Sequence, residues 1–153
     1  MLLPPVDALQ IQYDPARNLM RFQWLDPVNL QLRSALVYGR DVVVQYKPTH
    51  VLVDLHDLPH LSMQDELWMS VHWLPIIAAQ SIQQVALVHG AVGYLHNQMA
   101  VEALIWLGRH LIGFQIQFFD DASAALHWLM GSDESVEQLQ AEWRASILAV
   151  SVR

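Results

Sequence analysis

The chain of 153 residues contains no cysteine. That excludes a disulfide framework, a thiolate nucleophile and cysteine ligation of zinc. Charge is also scarce: Asp, Glu, Lys and Arg make up 15% of the residues, where an average domain has about 25%. The 8 basic residues face 15 acidic ones, for a net charge of −7. This balance argues against a nucleic-acid partner, because binding a phosphate backbone requires clustered cations. No uninterrupted apolar stretch approaches the roughly 18 residues of a membrane span, so no integral membrane segment is expected. Residues 1–10 have no basic segment, and Pro4 and Pro5 break their short apolar run. A secretory signal is therefore not expected. The expected location is cytoplasmic, although the absence of cysteine also suits an oxidising compartment. Neither a Gly-Lys-Ser/Thr phosphate loop nor a Gly-x-Ser-x-Gly elbow occurs, and Gly90 and Gly93 read as a loop after a strand. No cofactor is implied.

What the chain has in quantity is apolar side chains, 54% of all residues. A globular chain of this length buries roughly 68–70% of its unfolded surface, so one domain spanning 1–153 needs no staples. The order of patterns defines the class. Ile11 to Tyr13 and Leu19 to Leu25 read as a hairpin around the turn Asp14-Pro15-Ala16-Arg17-Asn18. Asp26-Pro27 reads as a helix start, followed by Val28, Leu32, Ala35, Leu36, Gly39, Val43 and Tyr46 at helical spacing, with Pro48 as the stop. Strands are expected at 50–55, 84–89 and 114–119. Helices are expected from Ser62 to about Ala78, with a kink at Pro75, and at 97–107, 122–130 and 134–150. The last carries Val136, Leu139, Trp143, Ile147 and Val150 as an amphipathic stripe. Strands alternating with helices imply an α/β fold, a mostly parallel sheet covered by helices with an antiparallel hairpin at its start.

A helix on a sheet needs one apolar stripe, and two of these helices carry more. In the first, Leu30, Val37 and Val44 stand nearly opposite the core set. In the second, Met63, Leu67, Val71, Leu74 and Ala78 are read as the core face and Met69, Trp73 and Ile76 as the outer one. The second surfaces suit a homodimer interface, since symmetric dimers are the commonest oligomers, or the wall of a cavity for an apolar small molecule. Singly scattered exposed residues are the plain alternative.

The densest polar cluster is the segment 54–62, with Asp54, His56, Asp57, His60 and Ser62. It follows a strand's carboxyl end, where open α/β sheets bind ligands. His56-x-x-x-His60 with nearby carboxylates has ligands suited to a divalent metal, but Pro59 opposes the helix that would align the two rings. Ser62 with Asp65 resembles a capping box, and a serine at a helix start also suits phosphorylation. Glu102 lies in a strongly apolar helix, where burial would raise its pKa.

Taken together, Tyr13 to Pro15 with Asn18 to Trp24, Val51 to Leu55 with Leu61 to Trp68 and Leu74-Pro75, and Phe119 to Leu129 resemble the SpoIIAA-like, or STAS, superfamily. The similarity is greatest to its bacterial branch compared with SEC14-type lipid-binding domains. It covers about residues 10–130. The resemblance implies a compact α/β domain that acts by binding; with the surplus apolar faces it leads to the expectation of a non-enzymatic domain that forms a homodimer and serves regulation or interaction with a protein partner. In that family's anti-sigma-factor antagonists, a serine at the start of the helix after the central strand is phosphorylated, and its position falls on Ser62. Leu61 and Met63 flank Ser62 where the family has an acid and a small residue, so the switch is not carried over. SEC14-like relatives imply a carrier or sensor of a lipid-like ligand as the alternative. A metal-dependent enzyme built on the 54–60 loop is a third reading.

Overall fold

The structure, a computed structural model, describes residues 1–6, 9–24, 31–58, 60–89, 95–131 and 133–151. Its six strands form one sheet in chain order: β1 Leu2–Val6, β2 Leu9–Asp14, β3 Leu19–Trp24, β4 His50–Asp54, β5 Gln84–Val88 and β6 Gln115–Phe119. The first three are antiparallel and the rest run parallel to β3, in the register Met20↔Val51, Val51↔Val85 and Val85↔Ile116. The α/β architecture expected from the pattern is therefore present, with one addition. Pro4 and Pro5 lie within β1, which the sequence reading missed. Proline cannot donate to a ladder, but an edge strand leaves one side unpaired and tolerates it, and the β1–β2 register shifts between Leu3 and Val6.

The helices are α1 Leu32–Tyr46, α2 Met63–Trp68, α3 Leu74–Ala78, α4 Leu95–Gly108, α5 Ala122–Met130 and α6 Asp133–Ser151, with a π-turn, Met69–Trp73, joining α2 to α3. Each parallel crossover advances by one strand in the same direction. Right-handed connections then place α1, α2–α3 and α4 on one face, where they form a roof over the sheet. The opposite face is covered by α5 and α6. Two buried clusters mark these layers. Phe22, Val51, Val85 and Leu87 meet α1, the π-turn and α4, whereas Leu19, Leu52, Ala86 and Val88 meet Leu126, Leu129, Val136 and Leu139. Alternate residues of the same strands thus feed different cores.

Helix α1 begins only at Leu32, after the extended, uncapped Gln31; this corrects the helix expected to run on from Asp26-Pro27, residues that themselves lie outside the described set. It ends at Lys47, whose left-handed φ of 52° lets its N–H reach the Val43 carbonyl at 2.9 Å. Pro48 follows, as expected. Helix α5 starts on Asp121, whose carboxylate accepts from Ala124 N at 2.8 Å, and ends at Gly131 with φ 69°. In α6, Val136, Leu139 and Trp143 are buried, while the side chains of Ile147 and Val150 lie outside the described set.

The second helix corrects the sequence reading. Met69 is buried, only 6% exposed, together with Leu74 and Ile77, and Trp73 is half-buried with its indole N–H donated to the Leu36 carbonyl at 2.9 Å. Met63, Leu67 and Val71, expected in the core, are exposed. The cause is twofold. Both stripes are apolar, so periodicity alone does not choose between them. The π-turn then adds a residue, with Leu74 N–H bonded to the Met69 carbonyl, and this rotates Leu74 onto the face of Met69 and Trp73. Pro75 explains its location: proline offers no N–H and its ring crowds the carbonyl of the preceding turn.

Candidate functional site

Three regions have chemistry beyond simple packing: the 54–62 loop, the polar half of the sheet under α6, and the roof with the space beneath it. At the carboxyl end of β4, Asp54 Oδ1 accepts from His56 N at 3.0 Å and meets His56 Nδ1 at 2.6 Å. This is a short side-chain turn that ties the ring to a buried carboxylate. The next histidine takes no part in it. His60 is exposed and stacks on His96 with ring centroids 4.1 Å apart, while Asp57 is half-buried and joins neither pair. Among the described residues, no three histidine, aspartate or glutamate side chains converge on a common point where a metal ion could sit.

Ser62 forms the capping box that its spacing to Asp65 predicts. Its Oγ accepts from Asp65 N at 3.0 Å and donates to Asp65 Oδ2 at 2.8 Å, and Ser62 N donates to the same carboxylate at 3.1 Å. A phosphoryl group on Ser62 would stand directly against Asp65 and break this box. The sequence reading missed Asn97. This buried residue accepts from Leu61 N and donates to the Leu58 carbonyl, both at 3.0 Å, and so fastens the loop to α4. A polar residue at the start of an apolar helix was the available signal.

On the face under α6, alternation in the hairpin strands leaves Gln10, Gln12, Asp14 and Arg21 pointing the same way, and all four are buried. Gln12 Nε2 donates to the Leu139 carbonyl at 3.0 Å and to Glu142 at 2.9 Å. Arg21 donates to Gln140 Oε1 at 2.6 Å and lies 4.3 Å from the centre of the Trp143 ring. Burial pushes the Arg21 guanidinium down to about 10, against the attraction of Asp54. Burial also raises the Glu142 carboxyl, but the N-terminal ammonium and the Gln12 amide outweigh it and hold the group below the usual range. Gln12 Oε1, Arg21 Nε and Gln23 Oε1 lack a hydrogen-bond partner among the described residues. This layer therefore orients α6 more than it adds net stability.

The roof is apolar on both sides. Met63 is 83% exposed, Leu67 65% and Val71 57% along α2 and the π-turn; Met99 is 59% and Trp106 64% exposed along α4, with Leu107 and Leu111 beside them. Both helices start at the carboxyl edge of the sheet and run back side by side, and α4 packs on the π-turn. Gly108 makes that approach close, since a Cβ there would fall 2.2 Å from Leu74 Cδ2. Of the residues expected on an outer surface, Val44 and Ile76 are exposed, Val37 is half-buried, Met69 and Trp73 point inward, and Leu30 lies outside the described residues. Glu102, considered for burial, is exposed and is the one charged residue of α4. A helix apolar all round normally marks burial on every side, and that signal in 95–108 identifies the residues that the periodicity reading missed.

Between the roof and the sheet lies a cavity of about 150 Å³ lined by apolar side chains, among them Trp24, whose buried indole N–H has no hydrogen-bond partner among the described residues. No family model, curated protein or solved structure matches this chain. No helix among the described residues is long and apolar enough to cross a membrane.

Proposed function

We propose that this chain is a non-catalytic, STAS-like binding domain that associates as a homodimer through the outer surface of its roof. The observation that carries the reading is the exposure of Met63, Leu67, Val71, Met99 and Trp106 on two adjacent helices. Several large apolar side chains exposed on neighbouring elements favour an interaction site over singly scattered residues, and aromatic and methionine side chains are enriched at such sites.

Charge favours a second copy at this place over other faces. Helix α6 exposes Glu134 and Glu137, so two such faces would repel, whereas α4 has only Glu102 and the acids of α2, Asp65 and Glu66, are half-buried. The likeness of sequence pattern to STAS domains, which act by binding, agrees with this reading. A regulatory protein that meets the same face is compatible with it.

Leu67→Asp and Trp106→Asp test the surface by light scattering after size exclusion. Each side chain is exposed in the protomer, so each variant is expected to fold with a melting temperature near wild type and to run at half its mass. Retention of the wild-type mass by both variants would remove this surface as the interface.

A further inference from the structure

We infer that the cavity beneath the roof is a binding site for a compact, uncharged hydrocarbon group about the size of benzene or toluene. Its volume of about 150 Å³ matches that of apolar protein cavities that take up such molecules. Its wall decides the chemistry. Phe22, Trp24, Val53, Leu87 and Ile116 form the floor from alternate strand positions, and the surface they offer is apolar; the one unpaired polar group among these floor residues is the buried indole N–H of Trp24. A water molecule there would have at most the Trp24 indole N–H, short of the two to four polar partners it requires. A charged group would lose its solvation without an opposite charge to replace it.

The roof side is built by two features. The π-turn turns Met69, Trp73 and Leu74 inward together. A regular helix would bring Leu74 onto the outer stripe of Met63, Leu67 and Val71. Single π-turns of this kind are frequent at functional sites. Trp73 has its N–H committed to the Leu36 carbonyl at 2.9 Å, and Met69 contributes a flexible, polarisable wall that adapts to shape. The second feature is the small residues of α1. Ala35 and Gly39 both border the cavity. A Cβ on Gly39 would meet Phe22 at 3.5 Å and Leu9 at 3.6 Å, ordinary contact distances. The space is therefore not imposed by a close backbone approach, because a larger side chain would fit there.

The hydrocarbon group can belong to a free small molecule or form the end of a longer chain, and two neutral probes separate these sources. Toluene and octan-1-ol are titrated into the full chain, with benzoate as the charged comparison. The Met69 methyl and Trp73 indole resonances are followed by NMR. At least one neutral probe is expected to shift both signals saturably, with benzoate at least about tenfold weaker. Stronger binding of toluene identifies a compact free molecule, and stronger binding of octan-1-ol identifies a chain end. Ala35→Leu, which fills the space, is expected to weaken the neutral probe about tenfold or more without lowering the melting temperature. Gly39→Ala adds a single methyl at a permitted distance and carries the test if Ala35→Leu does not fold; its expected loss is about threefold. The inference is overturned if neither neutral probe gives a saturable shift, if benzoate binds as tightly, or if the filled variant that folds binds like wild type.

Discussion

The two faces of the sheet are built from the same strands by opposite means. The roof face is joined mainly by apolar contact, with few directional bonds such as that from Trp73 to the Leu36 carbonyl, includes a cavity, and leaves apolar side chains on its outside. The face under α6 is joined by directional bonds: Arg21 to Gln140, Gln12 to the Leu139 carbonyl and Glu142, and Arg17 to Asp14 and Ser135. Apolar contact is non-directional and scales with area, so the roof can adjust around an occupant. A buried hydrogen-bonded layer tolerates few positions, and its groups are costly to leave unmatched. The adaptable half of the molecule is thus the half with the exposed surface and the cavity, and the half under α6 holds it in place.

The largest expected effect tests the rigid side. Arg21→Ala removes a buried charge that faces Asp54, Gln140 and Trp143, and is expected to destabilise by about 3–5 kcal/mol in urea unfolding. A loss below about 1 kcal/mol would mean that α6 is not held through this layer. The next prediction sets the two apolar cores against each other. Leu126→Ala, in the fully buried core under α5, should cost about 4 kcal/mol, and Leu104→Ala, in the cavity wall, about 2 kcal/mol. The wall residue already lacks contacts on its cavity side. Equal costs would contradict the contrast in packing.

Smaller effects sharpen the roles of single groups. Ser62→Ala should cost about 1 kcal/mol through loss of the cap and leave the mass in solution unchanged. A changed mass would give Ser62 a part in association. The smallest expected effect is that of Glu142→Gln. The folded-state pKa of Glu142 is lowered, so its stabilisation is complete above the unfolded carboxylate pKa and is lost as pH falls through the folded value. The difference in melting temperature between variant and wild type should be full at pH 7 and close below about pH 4. A difference that persists in acid would exclude the ionic contact as its cause.

From β2 onward the order of strands and helices was legible because each element has its own period and stop signal, whereas the prolines of β1 hid the edge strand. Pro48, the Ser62–Asp65 spacing, Asp121 and Gly131 all act as local chemistry predicts. The inner and outer faces of the second helix were not legible. Two apolar stripes compete there, and a π-turn changes the phase without a motif of its own beyond Pro75. The polar layer was hidden for a different reason. Gln10, Gln12, Arg21 and Gln23 alternate with apolar residues as they would on a strand with a solvated face. Only the position of α6, set by tertiary packing, turns that face into an interior. In the candidate loop, Ser62 was placed correctly as a cap, whereas His56 and His60, four residues apart, belong to separate contacts.

The central claim is that the roof's outer surface pairs two copies of the chain. Light scattering on the unmodified chain over a range of concentrations tests it most directly. The account predicts a mass of twice 17.5 kDa, reached at micromolar concentration; a mass of 17.5 kDa that stays constant as concentration rises would contradict it.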